Sequence, residues 1–165
     1  MPAQDSSDVM KLDKHGVIHV TRVTTGALIS LLIAQLFKLP EAYWAAITTL
    51  VVTQSTFGAA FKISWHRFVG TVIGAVAGAL LGTYFGENVF VFAAGAFALG
   101  ILCSALNLDR AAYRFAGITL AITMLVAHPN AAWIVSLHRF IEVSIGIVVA
   151  LALTAVWPEA EAKSE

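Results

Sequence analysis

Long uncharged runs decide how this chain can fold. No charged side chain occurs from Phe68 to Gly86, and none from Asn88 to Leu108. A helix rises about 1.5 Å per residue, so roughly 20 apolar residues cross the hydrocarbon of a bilayer. The charged residues gather in short clusters between such runs and make up only 12% of the chain, too few for a typical soluble domain. A soluble helical bundle would need a polar stripe along each helix, and no such stripe is present. With 59% hydrophobic residues and a mean hydropathy of +0.83, the chain reads as an all-α integral membrane protein whose first partner is the lipid bilayer.

Six spans can be drawn, near Val17–Phe37, Ala42–Gly58, Phe68–Gly86, Val89–Leu106, Ala111–Ala127 and Phe140–Trp157. The fifth is the weakest, because Arg114 falls in its first turn and Pro129 closes it early. The connections carry turn punctuation: Lys38-Leu39-Pro40-Glu41, Gly86-Glu87-Asn88, Asn107-Leu108-Asp109-Arg110 and His128-Pro129-Asn130. The expected layout is a polar cytoplasmic segment at 1–16, a six-helix transmembrane domain over 17–157 and a cytoplasmic tail at 158–165. The opening segment is mixed in charge, unlike a secretory signal. Cys103, the single cysteine, lies inside the fourth span, so no disulfide framework arises. The net charge is zero, which argues against a nucleic-acid partner.

Lysine and arginine fall unevenly across the spans. One side holds Lys11, Lys14, Arg22, Lys62, Arg67, Arg110, Arg114 and Lys163; the other holds only Lys38 and Arg139. Cationic flanks stay in the cytoplasm, so both termini are expected there, in a bacterial inner membrane.

The chain also repeats itself. Residues 59–76, AAFKISWHRFVGTVIGAV, align with 131–148, AAWIVSLHRFIEVSIGIV, at nine of eighteen positions without a gap. The offset of 72 residues spans three helices, so the second copy enters the bilayer from the opposite side. That is the pattern of an inverted 3+3 repeat, with halves at about 17–86 and 89–157, an arrangement used for alternating access in secondary transporters. Chance similarity between apolar helix starts would explain matched valines, but not a shared Ser-x-His-Arg-Phe.

The third span carries Gly70, Gly74, Gly78, Gly82 and Gly86, each four residues on. Such a bare strip lets another helix approach closely in lipid. The sixth span keeps Gly146 at an equivalent place. Packing is the ordinary role of these glycines, and it puts the third and sixth helices at the centre. Arg67 and Arg139 stand three residues before the first rung and its counterpart. If the helices start at Phe68 and Phe140, the arginines lie near opposite surfaces, either snorkelling to headgroups or marking two mouths of an anion path. An arginine fork grips a carboxylate bidentately and keeps its charge at any working pH. His66 and His138 accompany them.

Glu142 is the only carboxylate well inside an expected span, with His138 and Arg139 one turn before it. Charge balance explains it, and proton coupling is the sharper reading. Thr53, Gln54 and Ser55 interrupt the second span, where Gln54 is a candidate for lining the path. Thr48 and Thr49 suit bonds to their own helix carbonyls. Tyr43 and Trp44 suit an interfacial belt, and Arg22 a cytoplasmic anchor. No enzyme constellation emerges. The glycine ladder has no lysine after it and is not a phosphate loop. The five histidines show no metal-ligand spacing, and no cofactor is implied.

Several of these motifs occur together in a known family. Tyr43-Trp44-Ala45-Ala46-Ile47-Thr48, Gln54-Ser55 with Gly58, Arg67-x-x-Gly70-Thr71-x-x-Gly74, Arg114-Phe115-Ala116-Gly117-Ile118-Thr119 and Trp157-Pro158 resemble the membrane domain of the fusaric acid resistance and aromatic acid exporter family. The likeness covers roughly residues 20–158 and extends more distantly to plant aluminium-activated malate channels. It implies a six-helix unit handling small organic anions, often as a homodimer, with basic residues on the third and sixth helices lining the path, here Arg67 and Arg139. The chain departs from larger members in having no sizeable cytoplasmic domain. Three functions follow in order: an exporter of aromatic carboxylates coupled to protons, a passive anion channel, and a membrane assembly protein with no transported solute.

Overall fold

In a computed structural model, residues 14–54, 56–126 and 131–157 are described. Among these residues there are six helices and no strand: α1 (Lys14–Leu36), α2 (Tyr43–Val52), α3 (Phe57–Phe85), α4 (Val89–Ala105), α5 (Arg110–Leu125) and α6 (Ala132–Val156). Ser55, the segment 127–130 and the two ends at 1–13 and 158–165 lie outside the described residues. Expectations about the N-terminal segment, the tail, Lys11, Lys163 and the Pro129 turn therefore stay as sequence readings.

Local sequence sets the helix ends. Thr56, Asn88 and Asp109 sit in extended backbone before α3, α4 and α5, and each side chain accepts a hydrogen bond from a first-turn N–H. At the other end of α3, Gly86 has φ +64°, a left-handed conformation that a residue with a Cβ resists. No atom would crowd a Cβ at Gly86. It stops the helix rather than serving as the last packing rung.

Three expected boundaries move, and the moves change the site. α2 ends at Val52 instead of running to Gly58, and α3 begins at Phe57 instead of Phe68. α6 begins at Ala132, eight residues before the expected Phe140. Ending each span at a charged residue assumed that an arginine must meet water. Protein groups meet these two, so the helices run through them. α1, α3 and α6 are long and apolar enough to cross a membrane, and α2 and α4 are shorter apolar helices.

α3 packs most extensively against α5 and then α6, while α6 also packs on α2. α1 lies against α2 and α6, and α4 rests mainly on α5 at the edge. Small residues make the close crossings. A Cβ at Gly70 or Gly74 would press on the carbonyl oxygens of Ala112 or Ala116, and one at Gly78 would come within 2.9 Å of Thr123 Cβ. One at Gly82 would meet the Ala132 methyl at 2.7 Å. On α6, a Cβ at Gly146 would fall 2.5 Å from the Ala45 carbonyl oxygen. Close backbone approach of this kind holds helices together where lipid removes the hydrophobic drive.

Candidate functional site

α3 and α6 each bring an arginine inward. Arg67 is the eleventh residue of α3 and Arg139 the eighth of α6, and they are only 5% and 3% exposed. Neither snorkels, and they do not stand at two separate mouths. Both line one small cavity between α2, α3, α5 and α6, together with Trp44, Phe115, Thr119 and Val143. The earlier start of both helices draws the guanidinium groups into the protein.

Each cation rests on an aromatic face. The Arg67 guanidinium lies 4.8 Å from the Phe115 ring centroid, and that of Arg139 lies 4.4 Å from the Trp44 ring. Such contacts are worth about 2 kcal/mol when desolvated. Arg67 Nη2 donates to Thr48 Oγ1 at 3.0 Å, while the Thr48 hydroxyl donates to the Trp44 carbonyl at 2.8 Å. Arg139 pairs through Nη2 with the Glu41 carboxylate, and its Nη1 stands 3.5 Å from Glu142 Oε2. The Glu41 backbone N–H donates to Glu142 Oε1 at 3.2 Å. Glu142 is fully buried, whereas the Glu41 side chain keeps 22% of its surface exposed in the α1–α2 connection.

With all four groups charged, two arginines and two carboxylates sum to zero. The balance is uneven in space, because both carboxylates lie on Arg139. Arg67 Nε and Trp44 Nε1 are buried and make no hydrogen bond among the described residues. The cavity therefore has apolar walls, two fixed cations and unused N–H donors, which is the chemistry of an organic-anion site. Its volume is only about 10 Å³, the room of one water. No organic anion fits in that volume.

The other candidate residues lie elsewhere. His66 and His138 are half-buried and do not line the cavity. His66 lies near Asp109 at the start of α5, as do Lys62 and Arg114. The Ala111 N–H bond is the main reason that the Asp109 carboxyl is held below the usual range. Gln54 offers its backbone carbonyl to Arg22 Nη2 at 2.7 Å. Arg22 is no surface anchor: it is fully buried, and its Nη1 donates to the Trp157 carbonyl at 2.8 Å. Trp44 is likewise no interfacial belt residue, since its ring stacks beneath Arg139. Residue-by-residue reasoning missed Trp44, Phe115 and Glu41. A signal existed for the first two, since an aromatic residue followed by Ala-x-Ile-Thr occurs at Trp44–Thr48 and again at Phe115–Thr119.

Comparison with known proteins identifies the family. The family described as fusaric acid resistance protein-like matches residues 28–153, a segment that holds both arginines, both carboxylates and both aromatic partners. The chain belongs to this family. It is 31% identical over 150 residues to inner membrane protein YeeA of Escherichia coli (strain K12), a match covering 87% of this chain and 41% of that protein. It is 28% identical over 153 residues to the uncharacterized transporter GOX0755 of Gluconobacter oxydans (strain 621H), covering 84% of this chain and 21% of that one. The chain thus spans less than half the length of these curated relatives. No solved structure matches it significantly. Family membership and the apolar helices make it an integral membrane protein of a transporter-like family.

Proposed function

We infer that the chain moves organic, aromatic carboxylate anions out across the bacterial inner membrane, using Arg67 and Arg139 as one shared binding site. The observation that carries this reading is the convergence of two buried arginines from α3 and α6 on a single apolar-walled cavity. The relative named as a transporter supports solute movement, and the relative named as an inner membrane protein supports the location. Glu142 is the candidate for proton coupling, being a buried carboxylate beside Arg139.

The inverted repeat enters here as the mechanism of alternating access. Its support is a set of matched contacts. Ser64, Arg67, Gly70, Thr71, Gly74, Ala75 and Gly78 are buried on α3, and so is each residue 72 positions on along α6. Gly74 meets Ala116 and Thr119, while Gly146 meets Ala45 and Thr48. Arg67 rests on Phe115, while Arg139 rests on Trp44. The equivalent rings of Phe68 and Phe140 lie 5.6 Å apart, as equivalent residues do beside a two-fold axis. Arg67 and Arg139 face one cavity near that axis, so a rocking motion of the halves would open the same site to either side. With Arg22, Arg67 and Arg139 buried, the remaining exposed cations still favour both termini in the cytoplasm, and a homodimer is the expected assembly.

The test is transport by purified protein in liposomes, using radiolabelled benzoate with and without a pH gradient. Movement accelerated by the gradient and weakened by Arg67→Ala supports the exporter. Movement indifferent to the gradient favours a passive channel. No benzoate movement above empty liposomes sinks the reading. A periplasmic reporter active when fused at the C-terminus would overturn the orientation.

A further inference from the structure

We propose that Glu41 is a tethered competitor for the substrate: its carboxylate occupies Arg139 until an incoming carboxylate displaces it. This rests on the shared arginine site and adds a regulatory element to it. Three observations point the same way.

The carboxylates are not needed to build the fold. At the matched place in the other half, Gly70 packs directly on Ala112, and Arg67 stands there with no carboxylate beside it among the described residues. In the Arg139 half the same positions hold Glu142 and Glu41, joined by the Glu41 N–H bond to Glu142 Oε1. One half therefore shows that glycine and alanine suffice for the crossing. The two acids are additions around Arg139.

Of the two, only Glu41 can leave. Glu142 lies in the interior of α6 and is fully buried. Glu41 precedes α2 in the six-residue connection 37–42, and its side chain is 22% exposed. That connection contains Pro40 and a left-handed Lys38, and its backbone is held: Phe37, Lys38 and Leu39 bond back to α1, and the Glu41 carbonyl accepts from the Trp44 N–H. The Glu41 carboxylate can therefore leave Arg139 by side-chain rotation, without unmaking the connection.

Charge accounts for the exchange. Adding a carboxylate to a site that already sums to zero would leave a net negative charge in a low-dielectric interior, which is costly. Swapping one carboxylate for another keeps the sum at zero.

A tethered competitor lowers the competent fraction of the protein, so apparent affinity falls by that fraction while the bound complex is unchanged. Benzoate binding to the full chain in lipid nanodiscs, with association and dissociation measured separately, reads this out. Glu41→Gln is expected to bind benzoate about tenfold more tightly, through faster association and an unaltered dissociation rate. Glu41→Ala, which carries no carboxylate to place on Arg139, should do the same and serves if Glu41→Gln folds poorly. The double variant Glu41→Ala with Glu142→Gly copies the other half and should bind at least as tightly as Glu41→Gln.

Weaker binding in Glu41→Gln and Glu41→Ala would make Glu41 a residue that positions Arg139 and would overturn the proposal. Unchanged binding would do so too, as would a gain that comes only from slower dissociation. If Arg67→Ala and Arg139→Ala weaken binding while the Glu41 variants do nothing, only the tether fails. If no variant binds benzoate, or the arginine variants bind it normally, the shared site fails and the tether with it.

Discussion

Arg67 and Arg139 occupy matched places in the two halves, yet their surroundings differ in kind. Arg67 has a phenyl face, a threonine hydroxyl and a glycine-on-alanine crossing beside it. Arg139 has an indole face and two carboxylates where that crossing has Gly70 and Ala112. The shared part is architecture: an aromatic face under each cation and a small residue where the helices touch. The unshared part is charge. Arg67 is buried with no carboxylate beside it among the described residues, whereas Arg139 is paired with two. Under the proposed function, Arg67 is the open cation of the pair and Arg139 the guarded one.

The sharpest break of the matched crossings is steric. Gly74→Leu and Gly146→Leu should each abolish folded, monodisperse protein after detergent extraction, because the added Cβ meets backbone rather than a movable side chain. Overpacking usually costs about 1–3 kcal/mol, and more where the neighbour cannot yield. Gly78→Leu, against the Thr123 side chain, should be the milder of the ladder variants. Gly117→Leu, where nothing crowds a Cβ, should extract normally. Equal yields from Gly74→Leu and Gly117→Leu would remove the α3–α5 crossing from the account.

The arginines themselves should separate next. Arg139→Ala strands two carboxylates, one of them fully buried, and breaking a buried pair from one side costs about 3–5 kcal/mol. Arg67→Ala loses a charged hydrogen bond to Thr48, about 1.5–3 kcal/mol. Thermal unfolding in detergent should therefore place Arg139→Ala well below Arg67→Ala, although both should weaken benzoate binding per folded molecule by about ten- to hundredfold. Lysine at either place keeps the charge without the fork and should recover part of the affinity. Identical melting of the two alanine variants would erase the contrast between the halves.

A smaller asymmetry lies at Arg22, which ties α1 to the carbonyls of Gln54 and Trp157. α4 carries no charged residue and makes no such tie. Arg22→Ala should lower stability by about 1.5–3 kcal/mol in the same melting assay. The smallest effects belong to the caps. Asn88→Ala should cost α4 about 1 kcal/mol at any pH. Asp109 caps α5 with a carboxyl held below its usual range by the Ala111 N–H, so its contribution is present above the unfolded value and fades as pH falls through the folded one. Melting of Asp109→Asn should accordingly show less acid dependence than the parent.

How much of this was legible depends on how local each cause is. Hydropathy and turn residues act over a few neighbours, so an all-α membrane protein and the turns at 86–88 and 107–110 could be read directly. The recurrence of Ser-x-His-Arg-Phe and the four-residue glycine spacing were equally plain, because each is a pattern along one helix. The family resemblance carried by the Arg67-to-Gly74 motif is borne out by the match over residues 28–153.

Helix starts were misjudged where an arginine intervened. Single-helix reasoning supplies water or headgroups as its partner, whereas the partners used are Thr48, Phe115, Trp44 and Glu41 on other elements. Those contacts depend on which rows of small residues interlock, and Gly70, Gly74 and Gly146 do not name their facing helices. Glu41 and Glu142 are 101 residues apart, and nothing in the stretch around either announces the other. Patterns along the chain thus determined that the molecule is a helical membrane protein with two related arginine motifs. Only the packing of α2, α3, α5 and α6 decided that the two arginines share one site, because a buried charge settles wherever the tertiary structure offers it partners.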